Sequence, residues 1–429
     1  MAILTSLFSS VSGINAFGNG LSVISNNIAN MATIGFKDSS VAFSDIIGEG
    51  SAGNQIGHGV FVSGIRTQFT QGSFETTGNG LDMALEGDGF FILRTPEGTE
   101  SYTRAGLFSV DQDGLIANPQ GLLLQGYQAD PTGALTGQIG NLNVASTSFP
   151  PQATTRMDVV ANIDSRATIP AAFDVTDPTG TSNFSTSLSM FDSLGNSHLV
   201  SIFFRKSATA PGGNTWQWFA VVEGADATSG VTEIQAQGTL TFTTAGELDT
   251  ESVITYPTGG FDFSGGATQD QIIDFGFGES ITTDGGTGLN GLTQFGSNSG
   301  VLNQLQDGYA SGSLQRVSVN SEGLLTGLFT NGKSRTLGGV TLGRFNNPQG
   351  LVKLGNNLYA VSSDSGQPIF GSPDSAGMGR VLASSLELSS VDLAGQFVKM
   401  IEYQRGFQAN SRVISITDEI LQELVNLTR

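Results

Sequence analysis

Between Ser389 and Arg429 apolar residues return at steps of three, four or seven positions: Leu393, Phe397, Met400, Phe407, Ile414, Leu421 and Val425. A second line, Val413, Ile416, Ile420, Leu424 and Leu427, runs along an adjoining face. This is helical spacing. Ser389 or Ser390 can cap the start, Asp392 lies where the helix dipole favours an acid, and no proline interrupts. The spacing therefore predicts one long helix over 389–429. A matching stripe, Leu4, Leu7, Val11, Ile14, Leu21, Ile24 and Ile28, predicts a second helix over 1–32, with no charged residue before Lys37. Gly13, Gly18 and Gly20 each weaken that helix by about 1 kcal/mol relative to alanine. The two stripes can meet in a hairpin within one chain or be covered by other copies of it. A helix without charges has no face suited to water, which favours the second arrangement.

The chain between these ends changes its period. Residues 33–70 are irregular and rich in Gly48, Gly50, Gly53, Gly57 and Gly59, which reads as a linker with short extended pieces such as Val60 to Ile65 and with glycine hinges. From 71 to 145 short apolar runs alternate with turns, as in Phe90-Phe91-Ile92-Leu93 before Thr95-Pro96-Glu97-Gly98. Residues 146–290 carry longer alternating runs, including Phe184 to Phe191, His198 to Phe204, Trp216 to Val222 and Thr239 to Phe242. They predict a β-sandwich or small barrel. Short strands and similar turns return over 291–361, and 362–388, with Gly366, reads as a second linker and hinge. The expected fold is mainly β with terminal α-helices: one β domain in two stretches, a second nested inside it, and helical ends brought together.

Composition narrows the function. With 429 residues the chain is long enough for several cores, and its 59 glycines suit a turn-rich β protein. The net charge is −20, and between 146 and 310 seventeen acids face four bases. No basic stripe could release counterions from phosphates or seek an anionic membrane, so neither nucleic acid nor a membrane is an expected partner. Without cysteine, and with only two histidines, a disulfide framework, thiolate chemistry or a structural zinc site has no ligands. No cofactor is expected. No apolar run is long enough to span a bilayer, and Thr5, Ser6, Ser9, Ser10, Ser12 and Asn15 break up any cleavable signal.

The motifs with catalytic overtones are better explained structurally. Asp111-Gln112-Asp113-Gly114 resembles half a calcium loop, but its glycine stands too early and Leu122 occupies the position of the closing glutamate. Glu247, Asp249 and Glu251 could be imagined as a glycosidase pair but read as a solvated turn. Trp216 and Trp218 share one face of a strand and read as core. A surface or phage-tail fibre remains an alternative to an assembly protein, and an enzyme is disfavoured.

Several blocks in order identify a family. Asn26-Asn27-Ile28-Ala29-Asn30-Met31-Ala32-Thr33-Ile34-Gly35-Phe36-Lys37 carries the signature Asn27, Asn30, Thr33, Gly35, Phe36 and Lys37. Leu81-Asp82-Met83-Ala84-Leu85-Glu86-Gly87-Asp88-Gly89-Phe90-Phe91 and Tyr102-Thr103-Arg104-Ala105-Gly106 follow. Asn347-Pro348-Gln349-Gly350-Leu351, Leu386-Glu387-Leu388-Ser389-Ser390-Val391-Asp392-Leu393 and Tyr403-Gln404-Arg405-Gly406-Phe407-Gln408-Ala409-Asn410 close the set. Together they resemble the bacterial flagellar axial proteins of the rod and hook. The large insertion places the resemblance with the hook branch, the distal rod being the alternative. It implies a homopolymer whose terminal helices line an export channel and whose β domains lie outside, acting as a universal joint. It further implies contacts with rod, hook-cap and hook–filament junction proteins, passage through the flagellar export apparatus without cleavage, and an extracellular place in the hook and basal body.

Overall fold

A computed structural model describes residues 2–47, 57–144, 148–208, 214–375 and 377–427, without the side chains of 2–4, 424, 425 and 427. Leu4, Leu424, Val425, Gly48, Gly50 and Gly53 therefore lie outside the described residues or side chains. The chain divides into two compact units, one of 1–147, 315–328 and 334–429, the other of 148–314 and 329–333.

The first unit holds both terminal helices, α1 (Ala2–Ala29) and α2 (Leu393–Leu427). Asp392 caps α2: its carboxylate accepts hydrogen bonds from the Ala394 and Gly395 amides at 3.1 and 3.2 Å. The expected serine caps are thus corrected, since the Ser390 hydroxyl is instead bonded to Asp38. α1 packs along α2 in the same chain, so other copies are not needed to bring the ends together.

The expected linkers are also structured. β1 (Ser39–Ile47) and β2 (Gly57–Thr67) pair antiparallel and pack on α1. In the expected second linker, Arg380–Ala383 pairs with Met83–Glu86 and Ser385–Glu387 with Phe74–Thr76. These pairings join the C-terminal block to the early β stretch and set the start of α2. The main sheet of this unit runs in the order Ser334–Val340, Leu123–Ala129, Phe90–Arg94, Glu100–Thr103, Leu358–Ala360, Val352–Gly355. Strands from both sides of the insertion thus interleave. Phe90, Ile92, Tyr102, Phe345, Leu351 and Tyr359 fill one core of this unit. Asp111-Gln112-Asp113-Gly114 is a plain turn, with the Asp111 carboxylate accepting from the Asp113 and Leu115 amides and Gly114 at φ +75°.

The second unit extends beyond the expected boundary at 290. Gly300–Gln306 pairs antiparallel with Arg156–Asn162, which pairs in parallel with Asp274–Gly276. A five-stranded antiparallel meander supplies the other sheet: Phe184–Phe191, Ser197–Ala208, Asn214–Val222, Glu233–Phe242 and Leu248–Glu251. Both sheets feed one core that includes Val159, Phe204, Trp216, Trp218, Phe275 and Phe277. Alternation sends Phe204, Trp216 and Trp218 into this core, while Phe203, Phe219 and Val221 of the same strands are buried in a second cluster on the opposite face. Asp249 and Glu251 lie on the last meander strand, a correction to the expected loop, because Leu248 is anchored in the core.

Candidate assembly interface

Small residues, more than the apolar stripe, bring α1 close to its neighbours. Its buried line is Ser10, Gly13, Ala16, Gly20, Ile24 and Asn27. A Cβ at Gly13 would meet the Asn410 amide group at 2.6 Å, and one at Gly20 the Tyr403 ring at 2.6 Å. Gly406 of α2 is equally close to the Phe17 ring. Glycine's usual cost in a helix is offset here by the close approach of the two backbones. Phe17, Phe43 and Tyr403 then form a three-ring cluster with centroids 5.7–6.0 Å apart, joining α1, β1 and α2. Burial raises the Tyr403 phenol above its ordinary pKa.

This arrangement leaves much of the expected interface uncovered. Of the α1 residues, Ile24 is buried, Leu7, Ile14, Leu21 and Ile28 are half-buried, and Val11 is exposed. On α2, Leu393, Met400 and Ile414 are half-buried, whereas Phe397, Phe407 and Leu421 are exposed. Val398, Ile401, Val413, Ile416 and Ile420 are exposed as well. The signal missed in the sequence was the stripe of small residues: spaced by three or four positions, Ser10, Gly13, Ala16 and Gly20 mark the side of closest approach.

The signature block forms the joint beneath the helices. Asn27 donates to the Ser39 carbonyl at 2.8 Å and to Gln396 Oε1 at 3.3 Å, and accepts from the Ser39 amide. Thr33 donates to Asn30 Oδ1. Gly35, at φ +69°, lies against the Arg104–Ala105 backbone, where a Cβ would meet Ala105 N at 2.6 Å. Its amide donates to the Glu387 carbonyl. Phe36 is buried, and its carbonyl accepts from the Ser390 amide.

Lys37 closes the joint. Its ammonium donates to Glu387 Oε1 at 2.5 Å and to the Thr70 carbonyl at 2.6 Å, with both charged side chains fully buried. Gln71 Nε2 and the Gly72 amide donate to the same carboxylate oxygen, and Arg104 Nη1 stands 4.0 Å from the other. Burial lowers the pKa of Lys37, opposed by the attraction of Glu387. Glu387 is thus the residue on which charges from the N-terminal block and the early β stretch converge. Breaking such a pair from one side costs about 3–5 kcal/mol.

The hinge glycines divide. Gly59 is held against α1, where a Cβ would sit 2.0 Å from Ser12 Oγ, and Ser12 Oγ accepts from the Val60 amide. This contact corrects its reading as a hinge. Gly57 begins β2, and Gly366, at φ +72°, has nothing within 4 Å of where its Cβ would be.

Known families align with this layout. Residues 7–37 match the flagella basal body rod protein model, and 84–172 match the flagellar hook protein FlgE/F/G D1 domain. Residues 162–309 match the flagellar basal body protein FlaE D2 domain, and 382–427 the flagellar basal body rod FlgEFG protein C-terminal model. The flagellar hook protein FlgE of Salmonella typhimurium is 32% identical over 422 residues, covering 97% of this chain and 98% of its own. This chain belongs to the flagellar hook protein family. The hook protein FlgE of Treponema pallidum is 33% identical over 473 residues, with both chains covered in full. The crystal structure of Helicobacter pylori flagellar hook protein FlgE2 overlaps 73% of the chain at 14% identity and a TM-score of 0.47, too partial to carry the assignment. The chain is accordingly a hook structural subunit, as the resemblance implied, and the distal-rod alternative falls away.

Proposed function

We propose that this hook subunit polymerises through its terminal helices into a curved tube that encloses a channel and passes torque from rod to filament. The observation that carries this reading is the outward side of α2. Val398, Ile401 and Ile416 are 66%, 50% and 50% exposed although they sit on a helix already packed along α1. Such a surface is costly in water and is covered when neighbouring copies add their own helices. The subunit acts as a building block and not as a catalyst. Glu247 and Asp249 accept hydrogen bonds from Thr243 and Thr282, bonds that brace the ends of a core strand.

The same reading places rod, hook-cap and hook–filament junction proteins at the ends of the polymer. The chain reaches it through the flagellar export apparatus with its N-terminus retained. Bending draws on Gly366 and the other open glycines, while the helical layer stays firm. Negative-stain imaging of the concentrated full chain beside one lacking 390–429 tests the proposal. Tubes from the full chain alone are expected; equal tubes from both, or none from the full chain, would contradict it.

A further inference from the structure

The outward face of α2 carries charges that no described residue of the single chain pairs. Arg405, Arg412 and Glu419 follow at intervals of seven, with Glu423 one turn further, and all four are exposed. At 3.6 residues per turn they form one line on the side opposite Tyr403 and Asn410, which face α1. Among the described residues none of the four takes part in an ion pair. Arg412 and Glu419 are too far along the helix for the three- or four-residue spacing at which side chains meet.

The acidic end is poorly placed in isolation. Glu419 and Glu423 are like charges four residues apart, beside Asp418, and the last turn of α2 holds no basic residue. The negative end of the helix dipole makes acids there unfavourable. Two separate observations thus call for positive charge from outside: an unpaired acidic patch, and an equal basic patch about 20 Å away along the same face, at 1.5 Å per residue.

We propose that α2 of one copy packs parallel to α2 of a neighbouring copy, displaced along the axis by about 20 Å, so that Arg405 and Arg412 of one meet Glu419 and Glu423 of the other. The proposal rests on the assembly reading and adds its register. An antiparallel pair would also join unlike charges, but it is isologous and closes as a dimer. An open tube requires head-to-tail contacts with every copy pointing the same way. The flanking Val398, Ile401 and Ile416 supply buried area, while the charges select one axial offset among many.

Charge reversal in the full chain tests this, with polymerisation followed by sedimentation and imaging. Arg405→Glu with Arg412→Glu, and Glu419→Lys with Glu423→Lys, are each expected to slow polymerisation at least about tenfold. The four changes combined, or an equimolar mixture of the two double variants, restore it to within about twofold, because each reversed patch again finds its opposite. Arg405→Lys with Arg412→Lys polymerises normally, and unchanged melting of the monomers shows that the substitutions spare the fold. Double variants that polymerise like the parent, or a fourfold variant as slow as either double, would overturn the register. Failure of the parent chain to polymerise would instead remove the assembly reading and the register together.

Discussion

The inserted unit and the terminal helices bury their apolar residues in different ways. In the inserted unit both tryptophans, Trp216 and Trp218, are enclosed, and two sheets close over Phe204, Phe275 and Phe277. Its exposed apolar residues include Val253 and, on one strand, Leu302 and Leu305. α1 and α2 instead meet along small residues and leave a row of larger ones outward. One region encloses its large apolar side chains, whereas the other leaves a row of them uncovered, as the proposed assembly requires. Under the proposed assembly, the contrast singles out the residues that the single chain leaves uncovered.

The largest effect should follow from breaking the joint beneath the helices. Glu387→Ala leaves Lys37 and Arg104 buried without their carboxylate and should destabilise the first unit by about 3–5 kcal/mol. Both tryptophans lie in the inserted unit, so tryptophan fluorescence reports that unit alone. Its denaturation midpoint should stay put while far-UV helix signal is lost earlier. Coincident shifts in both signals would make the two regions one cooperative body.

Trp216→Ala provides the converse, with a cost of about 3–5 kcal/mol from the cavity left in the core. Fluorescence from Trp218 should then report early melting while helix content persists. An unchanged Trp218 midpoint would mean that the core is not where the inserted unit holds together.

A smaller pair tests the close approach of α1 and α2. Gly20→Ala must displace the Tyr403 ring and should cost about 1–3 kcal/mol by overpacking. Gly18→Ala has nothing within 4 Å to meet and should gain up to about 1 kcal/mol of helix propensity. Thermal melts followed by circular dichroism should move in opposite directions. Movement in the same direction would show that the packing of α1 on α2 does not distinguish the two positions.

The smallest effect is one of pH. Burial, with Asp284 and Asp274 nearby, raises the Glu251 carboxyl to about 7. The folded state therefore holds a proton that the unfolded state has released, and stability falls as pH rises from the ordinary glutamate range through about 7. After solvent screening the loss should be of the order of 1 kcal/mol in fluorescence-monitored unfolding. Glu251→Gln should flatten the slope, and an unaltered slope would assign it to other groups.

Much of this layout was legible in the sequence because it depends on period. The terminal helices, the meander strands over Phe184–Phe191 and Trp216–Val222, and the turn at Asp111–Gly114 each carry a local signal. Contacts between distant segments do not. Residues 380–387 are too short and mixed to read as strands until Met83–Glu86 and Phe74–Thr76 supply their partners. Gly59 reads as a hinge because glycine permits freedom, yet it serves close approach to Ser12. Apolar spacing found both helices but misplaced the side by which α1 meets α2, because small residues set that approach.

The chain has no cysteine, so a single introduced thiol reports one position without interference. Ile416→Cys places it on the outward face of α2, where the parent side chain is 50% exposed in the single chain. The thiol should react freely in the monomer and become protected when tubes form. Equal reactivity in both states would show that this face is not what the subunits bury against one another.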